Sequence, residues 1–423
     1  MLWAAVAFLV WNMIAGRFLP PPKPPAVPTT QPTTMPFAAP TAEGTAQTQP
    51  GVAPPESGRL HAVGAEAAET LSLGSIRNGA DSPYRMHLEL SPRGASMSRA
   101  TLTDYAENVD SPERYLLLEP VEGEGGGTGP STPFYSFAVE KINLGGIDVP
   151  LANVNWRASQ GRDASAETAT FEADVVDAND NPMLRLRRVY RLTRQPINEQ
   201  RHDAWVELQI ENLTDQPGDV RVTERGPVGI RQAYSRTDDR HVLKASVAAD
   251  AHTVAVSGTT FRKAAGQTQT LKDAESAQAL WWTGAGNKYF SAILVPLTAD
   301  GQVGPSYLDH LDAVDLDGQA RTVDDVTCRL VSHFAVPPHE SRTAHWQCYL
   351  GPNDKHAFTR ESNPDYARWG FRHIIDVGYG SCAFNWLTDV MVAFLDGLER
   401  VLGNYGVAII VLVLVVRTLL HPI

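Results

Sequence analysis

Residues 184–192 read Leu184-Arg185-Leu186-Arg187-Arg188-Val189-Tyr190-Arg191-Leu192, a run in which apolar and charged side chains alternate. A period of two marks a strand with one face in a core and the other in water. Trp205-Val206-Glu207-Leu208-Gln209-Ile210 repeats the pattern after a break containing Pro196 and Asn198. Working outward, short runs rich in Val, Tyr, Phe and Thr recur between Gly, Pro, Asn and Asp turns. They predict strands at Arg85–Leu90, Tyr115–Leu118, Phe134–Glu140, Ile142–Val149, Ala169–Val176, Leu184–Thr193, Ala204–Asn212, Asp219–Glu224, His252–Ser257, Tyr289–Pro296, Val326–Val336 and Arg342–Leu350. No long amphipathic helix interrupts this region. The fold class expected is mainly β: a large antiparallel β-sandwich of two large sheets.

Composition narrows the function. The 423 residues are 43% hydrophobic, enough for a core. Asp and Glu number 48 against 36 Lys and Arg, a net charge of −12. That balance argues against nucleic acid as a partner, which calls for a basic face. Three cysteines, Cys328, Cys348 and Cys382, are too few for a disulfide scaffold and lack metal-ligand spacing. Val336-Pro337-Pro338-His339-Glu340 reads as a hairpin turn, and a three-residue loop at Pro337–His339 sets Cys328 opposite Cys348. Two readings stand for that pair: a disulfide in an oxidising compartment, or the blander one, two small buried hydrophobes.

The most apolar segments lie at the two ends. Residues 1–19 are just long enough for a membrane anchor, which needs ~20 residues. No basic residue precedes the run and no clean cleavage site follows it, so an uncleaved anchor is favoured over a signal peptide. Arg17 and Lys23 follow the run, which on the positive-inside rule puts the N-terminus outside. A few true N-terminal residues are expected to be missing. Residues 20–59 hold 12 of the 30 prolines and cannot bury a core, so they read as a spacer. The linker is taken as 20–75, the β-domain as 76–352 and a connector as 353–384.

The period changes at residue 385. Leu387, Val390, Met391, Phe394, Leu398, Val401 and Leu402 follow helical spacing, with Trp386 at the start. This predicts an amphipathic helix over 385–403 lying in a membrane interface, presenting Trp386, Leu387, Val390, Phe394 and Leu398. Residues 404–423 then predict a membrane helix. Eleven uninterrupted apolar residues, Gly406–Val416, precede Arg417. They cover roughly 16 Å, about half of a ~30 Å hydrocarbon core. Arg417 thus falls near mid-bilayer, where an arginine costs ~2.5–3.5 kcal/mol on insertion scales and is by default a functional residue. The competing reading is an arginine that ends a short helix and snorkels to the surface.

No catalytic constellation is present. The chain lacks G-x-S-x-G, H-E-x-x-H and Walker A motifs, and its twelve histidines are scattered. The glycine-rich run 123–130 lacks the strand–loop–helix context of a phosphate cradle. Residues 177–181, Asp-Ala-Asn-Asp-Asn, read as a β-turn rather than a calcium loop. No cofactor or metal is expected.

Gly403-Asn404-Tyr405-Gly406, the apolar run and Arg417-Thr418-Leu419-Leu420-His421-Pro422 closely resemble the second transmembrane helix of the YidC membrane insertases. Residues 287–296, NKYFSAILVP, resemble that family's K-Y-F strand, and Pro337-Pro338-His339-Glu340-Ser341 with Cys348-Tyr349-Leu350-Gly351-Pro352 resembles its P-P-G-E-S and L-Y-x-G-P pair. The resemblance implies an enlarged, mutarotase-like periplasmic β-sandwich flanked by transmembrane helices in a bacterial inner membrane. It implies a non-enzymatic insertase whose partners are nascent membrane proteins, the lipid bilayer, and the Sec translocon with its accessory subunits. It makes Arg417 the arginine of a hydrophilic groove that draws in polar substrate segments. The family's remaining core helices do not follow, so the chain is expected to be an N-terminal fragment that is not a competent insertase alone. Two other classes stay open: a tethered periplasmic carbohydrate-binding or mutarotase-like protein, and an envelope interaction protein.

Overall fold

The computed structural model describes residues 60–420, apart from 77–81, 109–110, 123–131, 196–200, 233–239, 248–253, 260–267, 277, 317–324, 360 and 378–384. The expected N-terminal anchor, most of the linker, the glycine-rich run and Cys382 lie outside the described residues.

The alternation in residues 184–192 is realised as the strand Pro182–Thr193. Leu184, Leu186, Arg188, Tyr190 and Leu192 are buried, while Arg185, Arg187 and Arg191 are exposed. Its neighbours are Ala166–Val176 and Asp203–Asn212, with Leu186 beside Ile210 and Tyr190 beside Val206. The ten-stranded sheet grown from this centre runs His61–Val63, Ala166–Val176, Pro182–Thr193, Asp203–Asn212, Ser341–Pro352, Phe290–Leu297, Ala279–Gly286, His241–Val247, Ala255–Thr259. Arg157–Arg162 shares the edge of Ala166–Val176. A six-stranded sheet runs Thr268–Lys272, Leu308–Asp315, Val326–Val336, Gly218–Arg225, Val139–Leu144, Ile147–Pro150. Every pairing is antiparallel, as expected for a sandwich.

Two features differ from the expected pair of sheets. First, Leu71–Gly74, Met86–Ser91, Ser96–Ala106 and Arg114–Leu118 form a separate four-stranded sheet. Its Leu73, Leu88 and Leu102 join the same core as Val220 and Val222 of the six-stranded sheet and Val206 and Leu208 of the ten-stranded one. Each such fully buried side chain contributes ~1.5–3 kcal/mol. The Tyr190 hydroxyl ties sheets together by donating to the Ala95 carbonyl at 2.7 Å. Second, Ile142–Val149 is not one strand. Gly145 and Gly146 take φ of +57° and +91°, a tight turn that splits it into Val139–Leu144 and Ile147–Pro150.

The turn at Pro337–Glu340 is not a hairpin. Val326–Val336 pairs with Gly218–Arg225 and Leu308–Asp315, whereas Ser341–Pro352 pairs with Asp203–Asn212 and Phe290–Leu297. The turn therefore carries the chain from one sheet to the other. In register, Cys328 lies beside Ala313, and Cys348 beside Ala204 and Leu294. Both are buried free thiols, which agrees with the blander of the two readings and not with a disulfide. Burial pushes the Cys328 thiol up to about 12 and that of Cys348 higher still.

Residues 353–377 fold onto the outward face of the large sheet. Helix α1 (Pro364–Arg368) starts at the N-cap Asn363 with Pro364 in its first turn, and α2 is Ile374–Val377. Phe358, Tyr366, Trp369, Phe371 and Ile374 form a second core with Trp282, Ile293, Val295 and Tyr349 of the sheet. This explains why Ala292–Leu297 is apolar throughout: Ala292 and Leu294 face one core, Ile293 and Val295 the other.

Candidate functional site

Helices α3 (Asn385–Leu402) and α4 (Tyr405–Leu420) belong to a compact unit of their own and pack on each other. The sequence Gly403-Asn404-Tyr405-Gly406 builds the corner between them. Gly403 ends α3 with φ +66°, which costs a side-chain-bearing residue energy, and its N–H donates to the Glu399 carbonyl at 2.6 Å. Asn404 opens α4 as its cap: its Oδ1 accepts from the Gly406 N–H at 2.8 Å and the Val407 N–H at 3.3 Å. The Tyr405 hydroxyl donates to Asp396 Oδ1 at 3.4 Å. Each residue of the motif thus has a mechanical task. In the sequence, a glycine past a helix end followed by an Asn cap is the signal that reveals the corner.

Helix α4 carries one charge, Arg417, in its last turn. A cation there is favoured by the helix dipole by ~0.3–1 kcal/mol. Arg417 is exposed, and Thr418 Oγ1 beside it donates back to the Leu414 carbonyl at 2.7 Å. Val407, Ile409, Ile410, Val413, Leu414 and Val415 are exposed as well. On α3, Val390 and Phe394 are exposed and Leu398 is half-buried. Trp386 and Leu387 fall in the first turn of α3, and their side chains lie outside the described residues. An apolar surface this continuous marks an interaction or membrane-contacting site. Among the described residues no helix is long and apolar enough to cross a membrane. The 16 residues of α4 extend about 24 Å, against a ~30 Å hydrocarbon core.

The sandwich offers less chemistry. Asp177 caps its own turn, its Oδ1 accepting from the N–H groups of Asn179 and Asn181 at 2.8 and 2.9 Å, as expected of a β-turn. A cavity of about 340 Å³ on the outward face of the large sheet is lined in part by Arg185, Arg187, Glu172 and Glu211. Arg187 pairs with Glu172 at 3.4 Å and Arg185 with Glu211 at 3.8 Å, while Glu340, which also lines it, pairs with Arg342 at 3.0 Å, so each of these carboxylates already has a cation. Among the described residues no cluster of His, Cys, Asp and Glu is arranged to hold a metal ion.

These features define a class: an antiparallel β-sandwich followed by an amphipathic helix and a strongly apolar one bearing a single cation. The family described as the YidC periplasmic domain matches residues 84–394, and the chain belongs to the YidC family. It is 30% identical over 144 residues to the membrane protein insertase YidC of Magnetococcus marinus, a match covering 34% of this chain and 22% of that protein. Among solved structures it is similar to a putative aldose 1-epimerase from Escherichia coli K12, at 10% identity and a TM-score of 0.35, covering 67% of this chain and 99% of that one. It is also similar to a galactose mutarotase-like protein from Lactobacillus casei, at 11% identity and a TM-score of 0.38, covering 67% and 100%. Likeness at that level carries nothing about activity.

Proposed function

We propose that this chain works in membrane protein insertion, without covalent chemistry. The observation that supports it most is Arg417, the only charge of an otherwise apolar α4 held at a built corner. In this reading the sandwich is periplasmic, α3 lies in the interface of a bacterial inner membrane, and α4 starts the second span. Val390, Phe394 and Leu398, with Trp386 and Leu387, contact lipid headgroups and acyl chains. Arg417 then sits in a wet cavity of low dielectric. There its attraction for a substrate carboxylate exceeds the ~1 kcal/mol that two charges 4 Å apart have in water. It draws polar segments of a nascent membrane protein part-way into the bilayer, and their apolar segments pass into lipid. The protein acts alone or with the Sec translocon and its accessory subunits.

Growth of insertase-depleted cells tests this. The full-length gene product restores growth and the Arg417→Glu variant does not. Equal rescue by both removes Arg417 from the mechanism, and no rescue by the unmodified protein rejects the insertase reading.

A further inference from the structure

Three arginines meet around one carboxylate on the outward face of the six-stranded sheet. Leu330 and Glu224 point inward, so their strand neighbours Arg329 and Arg225 point outward. These two arginines stand directly opposite each other in register, an arrangement that destabilises a strand pair when nothing separates the charges. Glu140 stands between them: its Oε1 lies 2.6 Å from Arg225 Nη2, and its Oε2 accepts from Arg329 Nε at 2.8 Å. Arg93, on the turn between Met86–Ser91 and Ser96–Ala106, adds a third cation close enough to repel Arg225. Residues 133–135 clip two of the three guanidinium groups. Arg93 Nη2 donates to the Pro133 carbonyl at 2.7 Å and its Cζ lies 5.1 Å from the Tyr135 ring centroid, while Arg225 Cζ lies 4.5 Å from that of Phe134.

The charges do not balance. Three cations share one carboxylate, in a chain whose net charge is −12. Asp312, beside Arg329 in register, is engaged by His310 Nε2 and Thr270 Oγ1, each at 2.9 Å. Arg225 is only 8% exposed, and its Nε and that of Arg93 are buried with no hydrogen-bond partner among the described residues. Buried cationic donors left in that state cost free energy. Burial pushes Arg93 and Arg225 below the ordinary arginine value; for Arg225, Glu140 opposes the shift and Arg329 and Arg93 add to it. The Arg329 side chain is 37% exposed, so the cluster opens to solvent on that side.

We propose that Arg93, Arg225 and Arg329 form a phosphate-binding site on the sandwich. Charge and shape select that ligand class. Three guanidinium groups against one carboxylate leave a surplus of two, and a phosphate group carries about −1.5 to −2 at pH 7. Guanidinium forks match phosphate oxygens, and these three come from three separate segments, which suits a tetrahedral group. A planar carboxylate needs only two of them, as Glu140 shows. Glu140 has two effects here. It holds Arg225 and Arg329 together, and its charge opposes the incoming anion. The site stands independently of the insertase reading.

The test is thermal unfolding of the purified full-length gene product, with inorganic phosphate replacing chloride at constant ionic strength. A ligand that binds the native state raises the melting temperature and saturates. Phosphate also stabilises proteins generally by exclusion from their surface, so variants supply the comparison. Arg329→Gln, at the open side, is expected to weaken the apparent affinity about tenfold. Glu140→Gln is expected to tighten it several-fold by removing the opposing charge, a gain that a merely structural cluster does not produce. Arg342→Gln, on the other sheet, is expected to leave it unchanged. Glycerol phosphate separates the sources: a response equal to that of inorganic phosphate assigns an esterified phosphate such as a lipid headgroup, and no response assigns the free ion. A rise that does not saturate, or that Arg329→Gln keeps in full, overturns the proposal, and so does weaker binding by Glu140→Gln. If Glu140→Gln fails to fold, Arg329→Gln still decides.

Discussion

Arg188 of the ten-stranded sheet donates from Nη1 to Glu224 Oε1 of the six-stranded sheet, a buried ion pair across the middle of the sandwich. The Arg188 guanidinium also lies 5.4 Å from the centroid of the Tyr190 ring. Burial works against its charge, and Tyr190 and Glu224 more than offset that, leaving its pKa raised. Removing one member strands the other. Glu224→Ala is therefore expected to cost about 3–5 kcal/mol, while exchanging both for apolar residues of similar volume costs far less. Urea denaturation of the single and double variants checks this. A double variant as unstable as the single one contradicts it.

Asp203 gives stability a pH dependence. Burial holds its carboxyl above the usual carboxylate range, with Tyr366, Arg201 and Gln347 opposing the shift. The native state therefore binds this proton more tightly than the unfolded chain does. The resulting contribution to stability is fully present below the unfolded value of about 3.9 and is lost as pH rises through the raised native value. Asp203→Asn lacks that loss. Unfolding free energies measured from pH 4 to 7 should move in the variant's favour relative to the unmodified protein as pH rises. A constant difference is incompatible with the raised carboxyl.

At the corner, Asn404→Ala removes the cap of α4 and is expected to cost about 1 kcal/mol of helix stability. Asn404→Asp keeps the acceptor and most of the stability. Gly403→Ala forces a side chain into a left-handed backbone and should cost about as much. Thermal circular dichroism of a peptide covering 385–420 in micelles reads these differences. Equal melting of Ala and Asp variants at 404 would show that the cap contributes nothing.

The two sandwich thiols should be silent. In a Cys382→Ser background, Cys328 and Cys348 are expected to resist alkylation at pH 8 in the folded protein and to react fully in urea. Their burial and raised pKa values both suppress the reactive thiolate. Non-reducing electrophoresis should show no internal crosslink. An alkylation-resistant, reducible species in urea would restore the disulfide.

What the sequence reveals depends on how many faces of an element are wet. Residues 184–192 declare themselves because Arg185, Arg187 and Arg191 stay in water while Leu184 and Leu186 are buried. Residues 290–297 show no alternation, because residues 353–377 cover the face that Ile293 and Val295 present. The covering segment is legible only in part: Asn363-Pro364 is a helix start, but nothing local says that the Tyr366 hydroxyl donates to Asp203 163 residues away. Pro337-Pro338-His339-Glu340 looks the same whether it closes a hairpin or crosses between sheets, since a turn's residues do not name the partner strand. Arg417 stands out in the sequence by being the one charge of its helix. The corner before its helix is signalled by Gly403 and Asn404, but the Tyr405–Asp396 hydrogen bond across it is not.

The central claim is that Arg417 attracts acidic substrate segments, and charge exchange in the substrate tests it most directly. Two versions of a single-span substrate are compared in insertase-depleted cells, one with acidic residues in its translocated tail and one with those residues made neutral. Arg417→Ala in the full-length protein should lower insertion of the acidic version about tenfold, the equivalent of ~1.4 kcal/mol, and leave the neutral version nearly unchanged. Equal losses for both versions, or none for either, contradict the account.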